Sequence, residues 1–515
     1  MIITAPYFKY LGLLKNNKLL FLLAVLPFLF WNNCNDTVSG EFSENKAPST
    51  NLTVEAINRG SDFRLSSQIR ISWFGNDPDG FISGFEYAIN DTSEGNFTFT
   101  TKTDSVFILP ITPGEQTDDV LFKVRAVDDQ GLVDPKGASL VYPIVNSTPQ
   151  VSINTNQSPP DTLYSVSSFG WTFSDPDGML NLSRTEIAVN DTVNGWTEIP
   201  FSQDDDGQLF ISLEVDNTTS GTKDAQVYLG RSYSTLQVNG ENLKIPVTVG
   251  ARNTFYVRAV DAAESISNVD SLSWYIKEQT SRTLLLNDFS GPSSANRQQF
   301  HLDALSQNGI TPDVWVINDG EVTQDKVALS SAFPTVIDPT LIKTLSKWDH
   351  IYWISNDLDR NITYAQEILE EFFENGGTSF VNIPMKRIDE EDPVFNFLPV
   401  DSIQTGQFLI LDNTSVSPVD ASITTTLNVA SGSFALSNVF PVKGVSGSTS
   451  LYEGDFVRRT ATGGVRPYND YQFVTIENTE GNVIYFTLDL SNLNGNNNIS
   501  DMIQEVVVDR LGFKQ

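Results

Sequence analysis

The 515-residue chain has one cysteine, two histidines and four methionines. A lone thiol rules out an intrachain disulfide, so the fold must be held by burial. Two histidines, His301 and His350, exclude a histidine-rich metal cage, and with Cys34 far upstream no Cys-His or Ser-His-Asp arrangement is recognisable. Basic residues are scarce: 32 Lys and Arg stand against 64 Asp and Glu, a formal charge of −32. A chain so acidic repels phosphate backbones, which argues against a nucleic-acid partner and favours cations or neutral glycans. No apolar run approaches the roughly 20 residues of a membrane-spanning helix. The one that stands out, Leu19 to Trp31, has thirteen.

That run carries an address. Lys15 and Lys18 precede it and Cys34 follows it, the order of a basic region, a short apolar region and a terminal cysteine in a lipoprotein signal peptide. Residues 1–33 are predicted to be removed, leaving Cys34 to take a lipid. The partner is then a membrane held through that lipid, at the outer membrane or cell surface. Residues 34–50 read as a polar tether.

An aromatic content of 11% and an apolar fraction of 40% are ample for packed cores, and the length suggests about three domains. Residues 51–146 and 147–280 are an internal repeat. Trp73 leads into Asp77-Pro78-Asp79-Gly80 and, later, Phe122-Lys123-Val124-Arg125-Ala126-Val127-Asp128. Trp171 leads into Asp175-Pro176-Asp177-Gly178 and then Phe255-Tyr256-Val257-Arg258-Ala259-Val260-Asp261. Short alternating strands punctuated by Gly, Pro, Asp and Asn predict two antiparallel sandwiches. The pattern resembles fibronectin type III domains, whose strand B tryptophan and strand F aromatic-x-Val-x-Ala run join two sheets. Phe122 and Phe255 stand where that family has a tyrosine, so its corner hydrogen bond cannot form here. Extra sequence around 203–250 predicts an added hairpin in the second copy.

The DPDG segments have ordinary turn chemistry. A sandwich, however, brings the loop after strand B and the loop after strand F to one end. That places Asp77 and Asp79 near Asp128, and Asp175 and Asp177 near Asp261. Carboxylates gathered without a basic residue suit Ca²⁺, the one ion the sequence suggests; no organic cofactor is implied.

From Thr283 strands alternate with helices, which predicts a parallel sheet covered on both faces. The segment Trp348-Asp349-His350-Ile351-Tyr352-Trp353, a helix closing on Gly376 and Gly377, and Val483 to Phe513 resemble the flavodoxin-like, class I glutamine amidotransferase-like domain. The resemblance covers 281–515, with a β-rich insertion between Phe397 and Tyr471. It implies a nucleophile in the turn after the fourth strand, yet Asn382-Ile383-Pro384-Met385 stand there. His301 is predicted on the exposed side of its helix, and His350 opens a strand. Three strands end in the same pair, Asn287-Asp288, Asn318-Asp319 and Asn356-Asp357, and carboxyl strand ends of such sheets line the ligand crevice. Asp288, Asp319 and Asp357 are therefore predicted to surround an acidic ligand pocket.

Together these features lean away from catalysis. They favour an exported, lipid-anchored binding or scaffolding protein of the cell envelope, with a glycan or envelope protein as further partner. The competing reading is a carbohydrate-active or metal-assisted hydrolase using the strand-end aspartates. If Cys34 carries the anchor, Cys34→Ala will move the mature protein from the detergent-soluble membrane fraction to the aqueous one; continued retention on membranes defeats that reading.

Overall fold

The computed structural model describes residues 44–53, 64–202, 206–319, 331–334, 338–389, 391–412, 414–430 and 435–515. Cys34 and the leader lie outside the described residues. The described chain is mostly β, with sandwich-like sheets in its first half.

In the first sandwich, Ser49–Thr53, Gln68–Asn76 and Asp104–Ile108 form one sheet in that spatial order. The facing sheet runs Leu65–Ser66, Ala138–Val145, Thr117–Asp128, Ile82–Ile89, Thr98–Thr100. Alternation drives the packing: in Thr117–Asp128 every second residue from Val120 to Asp128 is buried. Trp73 fills the space between the sheets, with ring centroids 5.9 Å from Phe122, 6.0 Å from Phe107 and 6.3 Å from Phe85.

The second sandwich repeats this strand for strand. Gln150–Ile153, Val166–Ser174 and Gln208–Glu214 build one sheet. Thr162–Leu163, Asp270–Ile276, Arg252–Asp261, Leu182–Val189 and Thr197–Ile199 build the other. Phe255 stacks on Phe169 at 4.2 Å, and Phe169 meets Trp274 at 4.9 Å. Both strand F phenylalanines are fully buried, so the ring serves packing without a hydroxyl. The predicted hairpin is present: Gly221–Leu229 pairs with Lys244–Val249 and with Gln208–Glu214, widening the first sheet.

In the third unit, Thr283–Asp288, Asp313–Val316, His350–Ser355, Thr378–Asn382 and Val483–Phe486 are mutually parallel. Their spatial order is second, first, third, fourth, fifth, a doubly wound arrangement. Alternate residues feed two cores. Leu285, Tyr352, Phe380 and Ile484 pack on one face with Ala304 and Leu305 of the helix Ser294–Gln307. Leu284, Trp353, Val381 and Tyr485 pack on the other with the helix Pro339–Leu345, whose first turn is capped by the Asp338 carboxylate. The β-rich insertion extends this sheet through Phe473–Glu477, antiparallel to Val483–Phe486.

The two junctions differ. Leu163 and Tyr164 of the second sandwich belong to a core of the third unit. The Tyr164 ring lies edge-on to Trp348 at 4.7 Å and Trp315 at 5.7 Å, and its hydroxyl donates to the Val314 carbonyl at 3.0 Å. The two sandwiches have separate cores and meet through polar groups, among them Gln116 Nε2 donating to the Ala263 carbonyl at 2.8 Å. Removing a buried aromatic costs about 3–5 kcal/mol. Tyr164→Ala is therefore expected to lower the melting temperature and to separate the second sandwich and third unit into distinct calorimetric transitions.

Candidate functional site

In a doubly wound sheet a crevice is expected where successive connections leave in opposite directions, a point that falls here between the carboxyl ends of Thr283–Asp288 and His350–Ser355. The asparagines of the three Asn-Asp pairs knit this end together. Asn356 Oδ1 accepts from the Ser290 amide at 3.0 Å, and its Nδ2 donates to the Ser290 carbonyl at 3.1 Å. Asn318 Nδ2 donates to Ser294 Oγ at 3.0 Å, and Asn287 Nδ2 to Gln298 Oε1 at 2.8 Å.

The aspartates take three different environments. Asp288 is 0% exposed; its Oδ1 accepts from Asn361 Nδ2 at 2.9 Å and its Oδ2 is buried without a hydrogen-bond partner. Burial pushes its pKa up to about 8, against the lowering effect of Asn361 and Arg360 and with a small raising effect from Asp357. Asp357 lies close enough to act on it, but is ion-paired to Lys386 Nζ at 2.7 Å, and Asp359 binds the same ammonium. Asp319 accepts from the Ser331 hydroxyl. The crevice thus carries Lys386 and Arg360 beside the expected acids, and Arg360 Nη1 donates to the Asn318 carbonyl at 3.2 Å. Lys386 had a signal in the sequence, since it follows the fourth strand at the same sheet end.

The turn after that fourth strand is structural. Asn382 Nδ2 donates to the carbonyls of Leu488 at 2.6 Å and Phe486 at 3.2 Å, and Ile383 and Met385 are buried. His301 corrects the sequence expectation: it is 1% exposed, not on the outer side of its helix. Its Nδ1 lies 3.0 Å from Tyr352 Oη, and burial holds its pKa down to about 3. The ring follows Ala304 and Leu305 into the core because three- and four-residue spacings share a helix face. His350 pairs with Thr378 Oγ1 at 2.9 Å, stacks on Phe513, and is held down to about 4 by burial.

At the sandwich ends the loops meet as the topology predicts. Phe81 N donates to Asp129 Oδ1 at 3.3 Å across the first pair of loops. Asp128 accepts from the amides of Leu132 at 2.7 Å and Gln130 at 2.9 Å, and from Asn45 Nδ2 at 2.6 Å. Burial alone would raise its pKa; these donors outweigh that and lower it. In the second copy Asn146 Nδ2 reaches Asp261 Oδ2 at 2.6 Å, and the Ser147 amide reaches Asp177 Oδ2 at 2.5 Å. The Asn45-x-x-Pro48 and Asn146-x-x-Pro149 spacing before each sandwich was the overlooked signal for this docking. Among the described residues no three carboxylate, imidazole or thiolate side chains are grouped as a ready-made metal centre.

A carboxyl whose folded pKa lies above its unfolded value gives stability that is present at low pH and is lost as pH rises through the folded value. For Asp288 the loss runs from about pH 4 to about pH 8, at roughly 1.4 kcal/mol per pH unit. Asp288→Asn keeps an acceptor for Asn361 and removes the charge. Denaturation measured across this window is expected to show a flatter profile for the variant, with the variant the more stable at pH 8.

No protein-family model matches the chain, and no curated protein matches it. Among solved structures it is similar to the fibronectin(III)-like modules of CbhA from Clostridium thermocellum, at 16% identity over 44% of this chain and 94% of that one, with a TM-score of 0.17. It is also similar to the D00-D0 domain of intimin, at 9% identity over 44% of this chain and 98% of that one, TM-score 0.16. A third likeness is to Escherichia coli alpha-2-macroglobulin in its native conformation, at 12% identity over 45% of this chain and 16% of that one, TM-score 0.14. Scores this low carry no argument, so the sandwich fold rests on the strand order and register given above.

Proposed function

We propose that the chain is an exported, lipid-anchored cell-envelope protein in which two fibronectin type III-like sandwiches present a flavodoxin-like unit for binding. The observation that carries this reading is the core shared by the second sandwich and the third unit through Tyr164. A spacer that transmits position needs such a seam, because polar junctions alone leave domains free to reorient. The crevice supports binding over catalysis: its lysine is already neutralised by Asp357 and Asp359, and the turn after the fourth strand is filled by Asn382 and buried apolar side chains.

The hydrolase reading draws on one observation, the raised pKa of Asp288, which suits a general acid at neutral pH. That carboxyl is completely enclosed, however, and a general acid must come within hydrogen-bond reach of its substrate. Capture of envelope proteins or glycans by the tagged mature chain tests the binding reading. A specific partner lost on Lys386→Ala or Asn356→Ala, with the fold intact, supports it. Hydrolysis of an envelope glycan by the wild type and not by Asp288→Asn favours the enzyme.

A further inference from the structure

We propose that the junction between the two sandwiches is a Ca²⁺ site, formed by Asp175, Asp177 and Asp261 with Asn146 and Ser147 of the connecting segment and Ser67 of the first sandwich. The three carboxylates are 7%, 4% and 0% exposed. No lysine or arginine pairs with any of them among the described residues. Burying several carboxylates without a counter-charge is expensive, and such groups in folded proteins are paired, protonated or bound to metal.

Neutral donors meet part of the need. Asp177 accepts from the Ser147 amide, from Ser147 Oγ at 3.1 Å and from the Ser67 hydroxyl of the first sandwich. Asp261 accepts from the Ser265 amide at 2.7 Å and from Asn146 Nδ2 at 2.6 Å. Asp175 Oδ1 accepts from the Asp177 amide at 2.7 Å. Its other oxygen, Oδ2, is enclosed and has no partner. Burial thus leaves this carboxyl with one oxygen unmatched at the junction, a cost that a bound cation would offset.

An all-oxygen donor set calls for a hard cation. Ca²⁺ takes six to eight oxygens in adaptable geometry, whereas Mg²⁺ demands a near-ideal octahedron. Three carboxylates, two serine hydroxyls and an amide oxygen reach that number. The side chains do not stand as a finished coordination shell. Closure requires Asn146 to turn its amide over, so that Oδ1 replaces the Nδ2 now facing Asp261. Since Ser67 belongs to the first sandwich and the aspartates to the second, the ion fixes the angle between them. The equivalent end of the first sandwich is more open: Asp77 is half-buried and Asp79 exposed, with no preceding sandwich over them among the described residues.

The test uses the full mature chain stripped of metal by chelator at pH 7.5. Calorimetric titration with CaCl₂ is expected to show saturable binding, with Kd of about 10⁻³ M or tighter as in extracellular modules. A ligand bound only by the folded state will also raise the melting temperature. Asp175→Asn is expected to weaken binding about tenfold or more, a loss of roughly 1.4 kcal/mol, while raising the metal-free melting temperature. Asn146→Ala is a second check of location and is expected to weaken binding in the same direction; Asp77→Asn leaves the junction site unchanged. A wild-type chain with no saturable heat and an unmoved melting temperature overturns the proposal, and that measurement needs no variant to fold. Binding unaltered in both Asp175→Asn and Asn146→Ala overturns the location.

Discussion

One aromatic wedge governs how this molecule is put together. Tyr164 leaves its own sandwich, enters the core of the neighbouring unit between Trp348 and Trp315, and hands its hydroxyl to the edge-strand carbonyl of Val314. Around it, Lys277 Nζ donates to the same carbonyl at 2.9 Å, and Lys343 sits over the Tyr233 ring. Apolar burial provides the strength, since a buried aromatic contributes several times what a surface ion pair does. The polar contacts fix the orientation. The wedge and these contacts together set the bearing of the third unit on the second sandwich.

The contrast with the other junction is one of physical type. Between the sandwiches the seam is made of carboxylates, serines and asparagines, and such contacts respond to pH and ions in a way apolar burial does not. The chain therefore joins an apolar connection to a polar one. Asn45 and Asn146 show that the polar connection is a repeated design, since each docks on the last aspartate of its own VRAVD strand.

Much of the fold was legible because it is written in local pattern. The alternation from Val120 to Asp128, the paired DPDG turns and the Asp338-Pro339 helix start each depend on neighbours within a few residues. What escaped depends on distant partners. His301 was expected outside because a lone histidine on a polar helix reads as solvated, and only the position of Tyr352 in the sheet makes the inward rotamer favourable. The shared sheet end of the strand-end residues was legible, but not their surroundings. The sheet order put Asp288, Asp357 and Lys386 at one end, while the Lys386 ion pair with Asp357 and the enclosing Asn361 depend on packing between segments distant in sequence.

The order in which the chain supplies its strands has a consequence for biogenesis. Val483–Phe486 completes the parallel sheet beside Thr378–Asn382, yet the whole β-rich insertion is made between them. The Thr283 hydroxyl, at the start of this unit, donates to the carbonyl of Lys514 at 2.9 Å, almost at the end of the chain. Loop closure over such separations slows folding. Until residues 483–507 emerge, Thr378–Asn382 has an unpaired edge and Phe380 lacks the cover of Ile503, Val506 and Val507. The sandwiches can close as they are made, but the third unit keeps an exposed strand edge until Val483–Phe486 is made.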